Sequence, residues 1–338
     1  MIMAANQLTP LIKTVHAATL VELLKHFEKD IYPLLKTAGL PEDILRSKSE
    51  FMPEEPIKHL LVLMAEKADP EHYGNLLRIV IREYFIPKIL DHIHAPKNLE
   101  EAFNSLATAI IHDSPSAKIA IEHFKGTPWF CRYKTKEDTK GFFWAEVFAI
   151  LFTIEFINVM TKTTWLPNSV AVQSSNIEPM LEVFKGQSIQ FVSDRNVTAI
   201  ELSDTILNTP VILPASFSEK KASSTPKKRT YIETVYLALT PYIGQPSMNV
   251  NEAAKVLNTS ARTLQRRLEK ENTTFKIIRE NIMLATSCRL MEDARYSLTD
   301  ISAKLGYADI AHFSRAFKKL TGFPPKDYRK RFLDRSTS

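Results

Sequence analysis

The sequence predicts a two-domain protein, with an α+β domain over residues 1–215 and an all-α domain over residues 231–338. Before residue 216, windows with the helical period of about 3.6 residues are mixed with short runs that have the strand period of about two. After residue 230 only the helical period remains. The residues between, 216–230 (SFSEKKASSTPKKRT), are rich in Ser and Lys and poor in apolar residues, which is typical of a linker.

Charge is divided unevenly between the two predicted domains. Residues 1–225 contain 23 Lys and Arg against 27 Asp and Glu, a net charge of −4. Residues 226–338 contain 21 Lys and Arg against 11 Asp and Glu, a net charge of +10. A basic domain joined to an acidic one indicates that the basic domain meets a polyanion; a solvated basic surface without a partner is the alternative.

Composition also predicts the compartment. The two cysteines, Cys131 and Cys288, exclude a disulfide framework and favour a reducing environment, so we expect a cytoplasmic protein. The first residues lack a charged segment followed by a long apolar core, and we expect no signal peptide. The most apolar stretch, residues 142–160, contains Glu146 and Glu155. Because each charge near a bilayer centre costs about 2.5–3.5 kcal/mol, this stretch is predicted to be a buried helix and no membrane contact is expected.

The N-terminal domain is predicted to combine helices with a small sheet. Helical periodicity is found at residues 17–37, 57–68, 73–84, 99–112 and 142–161. Strand-like runs are found at Lys118–Phe124, Trp129–Thr135, Val170–Gln173, Ser188–Val192 and Val197–Leu202. The last two runs are predicted to form a hairpin, because apolar residues alternate in both and a short polar segment joins them.

A helix, a tight turn and a second helix are predicted near the end of the chain. Thr299 is the expected N-cap of the first helix, Gly306 is expected to end it, and Asp309 is the expected N-cap of the second. Spacings of four and seven residues predict one buried stripe on the second helix, formed by Phe313, Phe317 and Leu320. The residues that face away from this stripe are Ser314, Arg315, Lys318 and Lys319.

The same design occurs earlier in the basic domain. Asn249 and Glu252 resemble a capping box, Asn258 takes the turn, and Ser260 caps the second helix. The residues expected to pack inward are Val250, Ala254, Leu257, Leu264 and Leu268. The residues expected to face outward are Arg262, Gln265, Arg266 and Arg267. A single helix pair of this kind is also compatible with a plain helical hairpin, but two tandem copies in the basic domain favour helix-turn-helix units, joined by a helix over residues 275–291.

These units resemble those of AraC/XylS-type transcription regulators over about residues 231–331. Residues 250–275 resemble the first helix-turn-helix of that family, and residues 301–329 resemble its signature. The signature positions in register are Leu305-Gly306-Tyr307, Phe313, Arg315-Ala316-Phe317-Lys318, Gly322, Pro325 and Tyr328-Arg329. The resemblance implies an all-α double helix-turn-helix domain of seven helices, whose two recognition helices enter successive major-groove turns about 34 Å apart.

The resemblance also implies which residues contact DNA. The base-facing positions would be Arg262, Gln265 and Arg266 in the first unit and Ala311, Ser314 and Arg315 in the second. The neighbouring residues Arg267, Lys318 and Lys319 complete the expected DNA-binding set.

Three departures from the family pattern affect this expectation. Met283 occupies a position in the joining helix where the family usually has Arg, so one ion pair is expected to be missing. Asn258 and Asn272 stand where Gly is common. Ile310 and Ala311 make the start of the second recognition helix less polar, so it is expected either to read thymine methyl groups or to contribute mainly phosphate contacts.

Shorter matches in the N-terminal domain are similar to the arabinose-binding-like sensor domains attached to regulators of this family. They lie at Ala38-Gly39-Leu40, Pro53-Glu54-Glu55-Pro56, Asn98–Leu106 and Gly186-Gln187 through Leu202. The resemblance implies that this domain binds a small-molecule effector and controls pairing of two chains. From the residues alone, two interpretations of the apolar helix stay open. It lines a pocket, with Trp144, Glu146 and Glu155 as ligand-binding candidates, or it is simply core.

Other chemistry is less well supported by the residues. Asp91, His92 and His94 have alternate spacing but are more typical of a surface cluster than of a metal site, and no metal or cofactor is expected. Cys131 is more typical of an inert buried thiol than of a reactive one.

The sequence therefore predicts a sequence-specific transcription regulator and not an enzyme. Its expected partners are a double-stranded DNA operator, a small-molecule effector, RNA polymerase and a second copy of the chain. Two alternatives stay open at this stage: a DNA-directed enzyme such as an alkyl-transferring repair protein with Cys131 as acceptor, and an architectural protein that binds DNA without sequence preference.

Overall fold

The computed structural model describes residues 9–25, 28–115, 117–137, 139–213, 229–245, 248–293 and 295–333. The chain divides into two compact units. The N-terminal unit consists of residues 15–40 and 54–227, and the C-terminal unit consists of residues 1–14, 41–53 and 228–338. The predicted linker, residues 216–230, lies outside the described residues except for Arg229 and Thr230.

The C-terminal unit includes two short strands from the front of the chain, which the sequence places within the domain of residues 1–215. Strand β1 (Leu11–Lys13) pairs antiparallel with strand β2 (Phe51–Pro53). Phe51 and Met52 are buried, and β2 packs against helix α10 (Tyr231–Leu239). The Arg229 guanidinium lies 4.3 Å from the centre of the Phe51 ring. This apolar and cation–π packing explains why the strand pair groups with the helices of the C-terminal unit.

The N-terminal unit is a mixed α/β structure, as the sequence predicts. Its α-helices in the described residues are α1 (Thr14–Leu24), α2 (Tyr32–Ala38), α3 (Glu55–Ala65), α4 (Pro70–Val80), α5 (Ile86–Leu90), α6 (Leu99–Asp113), α7 (Lys140–Thr161), α8 (Glu178–Val183) and α9 (Asp204–Leu207). A π-helical segment, Ile81–Phe85, joins α4 to α5. The periodic stretch at residues 17–37 is two helices and not one. Pro33 lies in the first turn of α2, where its fixed φ favours the start of a helix. Gly39 ends that helix in the left-handed conformation.

A five-stranded sheet completes this unit. Its strands are β3 (Lys118–Phe124), β4 (Thr127–Tyr133), β5 (Ser169–Ala171), β6 (Gln190–Val192) and β7 (Thr198–Glu201), in the order β3-β4-β7-β5-β6. Strands β3 and β4 form a hairpin through Lys125 and Gly126, both with positive φ, which is the conformation that a two-residue hairpin turn needs. The predicted hairpin of β6 with β7 is wrong. Strand β5 lies between them, antiparallel to β7 and parallel to β6.

Helix α7 is the most apolar helix of the unit. By length and composition it is able to cross a membrane, but 61% of its most apolar window is buried inside the fold, as in the core helix of a folded domain. It packs against α3 and α4. Its two carboxylates are matched by donors from elsewhere in the unit, which removes most of the cost of burying them.

The C-terminal unit is otherwise helical, as predicted. Its α-helices in the described residues are α10, α11 (Val250–Val256), α12 (Ala261–Lys270), α13 (Phe275–Met291), α14 (Leu298–Lys304), α15 (Ile310–Thr321) and α16 (Pro325–Tyr328). A 3-10 turn, Thr240–Tyr242, follows α10, and a π-helical turn, Arg329–Leu333, follows α16. Helix α13 has the bounds that the sequence predicts for the joining helix.

Candidate nucleic-acid interface

The first helix-turn-helix consists of α11 and α12. The Asn249 side chain accepts hydrogen bonds from the backbone N–H of Asn251 (2.9 Å) and Glu252 (3.2 Å), so this residue is the N-cap, as predicted. Only this half of the predicted capping box is formed, because the Glu252 carboxylate accepts from Lys255 at 2.8 Å instead. Asn258 makes the turn with a φ of 50°, a left-handed conformation that Asn tolerates better than most residues. Ser260 then caps α12 by accepting a hydrogen bond from the N–H of Thr263 at 3.1 Å.

The second helix-turn-helix consists of α14 and α15. Its first helix begins two residues earlier than predicted, because Ser297 and not Thr299 is the N-cap. The Ser297 hydroxyl accepts from the N–H of Asp300 at 3.1 Å, and the Asp300 carboxylate accepts from the Ser297 N–H at 2.9 Å and from its hydroxyl at 2.6 Å. These bonds from Ser297 hold the pKa of Asp300 below its ordinary value.

The turn and the recognition helix of the second unit follow the prediction more closely. Gly306 has a φ of 73°, and Asp309 caps α15 by accepting from the N–H of His312 at 2.6 Å. Gly322 ends the helix in the left-handed conformation. Leu320, however, is 36% exposed and does not complete the predicted buried stripe. It lies in the last turn of α15, where a side chain has neighbouring turns on one side only.

Each recognition helix buries one face. Leu264 and Leu268 of α12 are fully buried, as are Phe313 and Phe317 of α15. The two phenylalanine rings lie 5.7 Å apart, and Phe317 also meets the ring of Tyr328 edge-on at 5.2 Å. The pattern of one buried pair at i and i+4 fixes the opposite side of each helix toward solvent.

The solvent side of α12 carries most of the predicted base-facing residues. Arg262, Gln265 and Arg266 are exposed. No hydrogen bond or ion pair within the described residues engages their side chains. Arg267 is different: its guanidinium lies 5.5 Å from the centre of the Tyr231 ring of α10, and the residue is partly buried. It lies three residues from Leu264 and so falls on the flank of the helix.

The solvent side of α15 is arranged in the same way. Ala311, Arg315, Lys318 and Lys319 are exposed, and Ser314 is partly buried. Over the described ranges, the three cationic side chains of this face make no ion pair with an acidic residue. The two faces therefore present positive charge and hydrogen-bond donors that the protein does not itself neutralise.

Helix α13 joins the two units. Met283 is buried, and its sulfur lies 3.8 Å from the hydroxyl oxygen of Tyr307 in the turn of the second unit. Burial raises the pKa of Tyr307, so this phenol stays protonated at neutral pH. Where the family usually has an ion pair from Arg, this chain has an apolar and sulfur contact. Asn272, before α13, has a φ of 56°, the left-handed conformation that Gly more often supplies.

The residues proposed as effector contacts are placed in the core of the N-terminal unit. The Glu146 carboxylate accepts from the N–H groups of Gln173 (2.7 Å) and Ser174 (3.1 Å) and from the Thr198 hydroxyl. Trp144 is buried and packs edge-on against Tyr73.

Glu155 is likewise matched by the protein. Its carboxylate meets Arg78 at 2.9 Å and Arg82 at 3.3 Å, and it is buried. Each of the two glutamates of α7 thus has partners within the N-terminal unit, and this arrangement favours the core interpretation of the helix.

The histidine-rich segment forms a different cluster from the predicted one. His16 lies 2.9 Å from Asp113 and stacks on Phe85, while His92 lies 4.0 Å from the other oxygen of Asp113. Asp91 and His94 are exposed. Among the described residues there is no group of three or more His, Cys, Asp or Glu arranged to hold a metal ion.

Cys131 lies in strand β4 and is buried. Burial, with a contribution from Glu122, raises the pKa of its thiol to about 11. A thiol with a raised pKa contains little thiolate at neutral pH and is a poor nucleophile, so the geometry does not support methyl or alkyl transfer to this residue.

These observations define a class of protein domain. Two capped helix pairs, each with a buried apolar face and an exposed cationic face, lie in one compact helical unit and have the form of a double helix-turn-helix DNA-binding domain. Residues 253–331 match the family model described as "Helix-turn-helix domain". This part of the chain is therefore similar to the helix-turn-helix DNA-binding domains of transcription regulators.

Comparison with known proteins gives the same class. Over 82 residues the chain is 33% identical to the ornithine utilization regulator of Pseudomonas aeruginosa, covering 24% of each protein. Over 118 residues it is 32% identical to the Msm operon regulatory protein of Streptococcus mutans, covering 35% of this chain and 41% of that protein. The chain thus spans a quarter to two fifths of these relatives.

Among solved structures, the transcriptional regulator CdpR from Pseudomonas aeruginosa aligns over 92% of this chain and 98% of its own, with 13% identity and a TM-score of 0.37. A similarity at this level does not define a common fold for the N-terminal unit.

Proposed function

We propose that the protein is a sequence-specific transcription regulator that binds a double-stranded DNA operator and reads two successive major-groove segments, one with α12 and one with α15. The observation that carries this proposal is the pairing of a buried apolar face with an exposed cationic face on each of these helices. The major groove admits one α-helix, and unpaired Arg, Gln and Ser side chains on that helix can distinguish base pairs.

Electrostatics supports the same function. The net charge of +10 over residues 226–338 favours a polyanion, and each phosphate that a Lys or Arg neutralises releases counterions from DNA. We assign base-facing positions to Arg262, Gln265 and Arg266 in the first unit and to Ala311, Ser314 and Arg315 in the second. Phosphate contacts are assigned to the neighbouring cations Arg267, Lys318 and Lys319.

For the N-terminal unit we propose control of this binding, as an arabinose-binding-like sensor would provide it. This unit would bind a small-molecule effector and contact a second copy of the chain. The regulator would act in the cytoplasm and contact RNA polymerase. An effector can change DNA affinity only if it binds the two states of the protein with different affinities. Because the carboxylates of Glu146 and Glu155 already have protein partners, an effector that used them would have to displace those partners.

The direct test is selection of bound sequences from a random pool of duplex DNA by the full-length protein, followed by competition with random DNA. A regulator should enrich one sequence with two half-sites about one helical turn apart and prefer it over random DNA by about 10³ or more. Enrichment of no sequence would contradict the proposal and would favour an architectural DNA-binding protein.

A further inference from the structure

A carboxylate on the recognition face of α12 has no counterpart on α15. Glu269 lies three residues after Arg266 and four after Gln265, so all three side chains project from the same side of the helix. It is exposed, and within the described residues its carboxylate makes no ion pair or hydrogen bond. When the buried pair Leu264 and Leu268 is aligned with Phe313 and Phe317, the position of Glu269 corresponds to Lys318.

Glu269 lies at a groove of about 500 Å³ in the C-terminal unit. The residues that line this groove include Gln265 of α12 and Lys276 and Arg279 of α13. Neither cation pairs with Glu269, although both belong to the same groove. Within the described residues the carboxylate is therefore not held by the fold, and it is available to a hydrogen-bond donor from outside the chain.

We infer that Glu269 is a specificity-determining residue that accepts a hydrogen bond from the exocyclic amino group of a cytosine in the major groove. The inference rests on the proposed function. A carboxylate beside DNA is repelled by phosphates, and the hydrogen-bond donors available to it in the major groove are the amino groups of cytosine and adenine. Cytosine, whose major-groove edge offers this donor, is the base that Glu and Asp pair with.

Helix geometry places this contact relative to the others. Glu269 lies seven residues from Arg262, which is about 10 Å along the helix axis. Bases along one strand are about 3.4 Å apart, so the base read by Glu269 lies about three steps from the base read by Arg262 and about one step from the base read by Arg266. Such a carboxylate adds discrimination against the other bases at one step and no attraction to DNA in general.

The test uses the full-length protein and the Glu269→Gln, Glu269→Lys and Glu271→Gln variants. Glu271 is exposed just beyond α12 and serves as the matched control for loss of one negative charge. Each protein selects sequences from the random duplex pool. Its affinity is then measured on the selected duplex and on duplexes changed at single steps, at several salt concentrations.

We expect the wild-type protein and Glu271→Gln to require cytosine at one step next to the base read by Arg266. In Glu269→Gln, discrimination at that step should fall by about tenfold while the other steps keep their preferences. Glu269→Lys should lose the cytosine preference and steepen the salt dependence by about one phosphate contact.

Two results would overturn the inference. In the first, wild type selects a sequence and Glu269→Gln keeps the same preference at every step. In the second, Glu269→Gln binds all sequences more tightly by one common factor, which means that the carboxylate only repels phosphates. Both leave the proposed function standing, whereas failure of the wild-type protein to select any sequence would remove both.

Discussion

The two recognition helices are built alike on the inside and differ on the outside. Each begins at a capping side chain, Ser260 or Asp309, and each buries one pair of apolar residues four positions apart. The outward residues of α12 are Arg262, Gln265, Arg266 and Glu269, whereas those at the matching positions of α15 are Ala311, Ser314, Arg315 and Lys318. Packing thus fixes which face each helix presents, and the outward residues decide what that face can recognise.

This difference implies a division of labour. Helix α12 offers side chains of the types that can make bidentate or directed hydrogen bonds to base edges, and α15 offers a short apolar start followed by cations. We therefore expect the first unit to contribute most of the sequence preference and the second to contribute more of the general affinity for DNA.

The largest loss of stability should come from truncating the buried apolar residues of the recognition helices. Phe313→Ala should destabilise the C-terminal unit by about 3–5 kcal/mol and Leu264→Ala by about 2–5 kcal/mol, because each leaves a cavity in a fully buried site. Hydrogen exchange of peptides from α11 to α15 measures this loss. All three tryptophans (Trp129, Trp144 and Trp165) belong to the N-terminal unit, so their fluorescence reports whether that unit stays folded.

The matched control for this pair is Leu320→Ala. Since Leu320 is 36% exposed, its truncation should cost much less than that of Phe313. Equal losses for Leu320→Ala and Phe313→Ala would contradict the assignment of the buried face of α15.

The next effect should come from the arginines of the outer faces. Arg266→Ala and Arg315→Ala should each weaken binding to the selected operator by about 1–3 kcal/mol, and Arg266→Ala should relax the preference at one base step more than Arg315→Ala does. Footprinting and titration on the selected operator measure both effects. Arg295, which pairs with Asp293 at 2.7 Å, is the control, and unchanged binding in both Arg266→Ala and Arg315→Ala would end the assignment of the two faces.

Lys318→Ala should have a smaller effect on DNA binding than either arginine variant. We expect binding to weaken by the same factor on all sequences and the salt slope to become shallower by about one unit, because a phosphate contact is lost. Affinity measured against salt on the operator and on random duplex DNA gives both quantities. A change in base preference would show that α15 reads bases at this position.

The smallest effect should be a change of local stability with pH. This change should differ between α11 and α14, the first helices of the two units. Helix α14 has the Ser297–Asp300 capping box, whereas α11 is capped by the neutral amide of Asn249. Because the pKa of Asp300 is lowered in the folded state, its contribution to stability is present above its ordinary value of 3.8 and is lost as pH falls through the lower folded value.

Hydrogen exchange of α14 should therefore accelerate more than that of α11 as pH falls from about 5 to about 2, after correction for intrinsic exchange rates. In Asp300→Asn this difference should shrink, and Glu271→Gln should leave it unchanged. If exchange in α11 and α14 accelerates equally in the wild-type protein, the capping box does not determine the stability of α14 at low pH.

Local signals explain what the sequence predicts well. The caps Asn249, Ser260 and Asp309, the left-handed turn at Asn258 and the bounds of α13 depend on a few adjacent residues, and the structure confirms them. The double helix-turn-helix fold also follows from repeated local spacing. The cap of α14 is an exception, because Ser297, Thr299 and Asp300 all suit helix starts and only the reciprocal hydrogen bonds choose Ser297.

Features that depend on distant residues could not be predicted in this way. The insertion of β5 between β6 and β7 depends on strand pairing across the sheet, which alternation within each strand does not specify. The placement of Arg267 against Tyr231 depends on how α10 packs on α12. Whether Glu269 pairs with a neighbouring Arg or stays open is likewise a matter of three-dimensional surroundings.

The strand pair β1–β2 has a practical consequence for anyone who wishes to isolate the DNA reader. A gene fragment that starts at residue 228 would produce α10 without Phe51 and Met52, and the apolar surface of α10 that β2 covers would face water. Cleavage within residues 216–228 would likewise not free the reader, because its strands are supplied from a part of the chain upstream of the cut. A fragment meant to remain soluble should therefore carry residues 9–14 and 41–53 joined by a designed connection, because residues 15–40 belong to the N-terminal unit, or a designed replacement for the two strands.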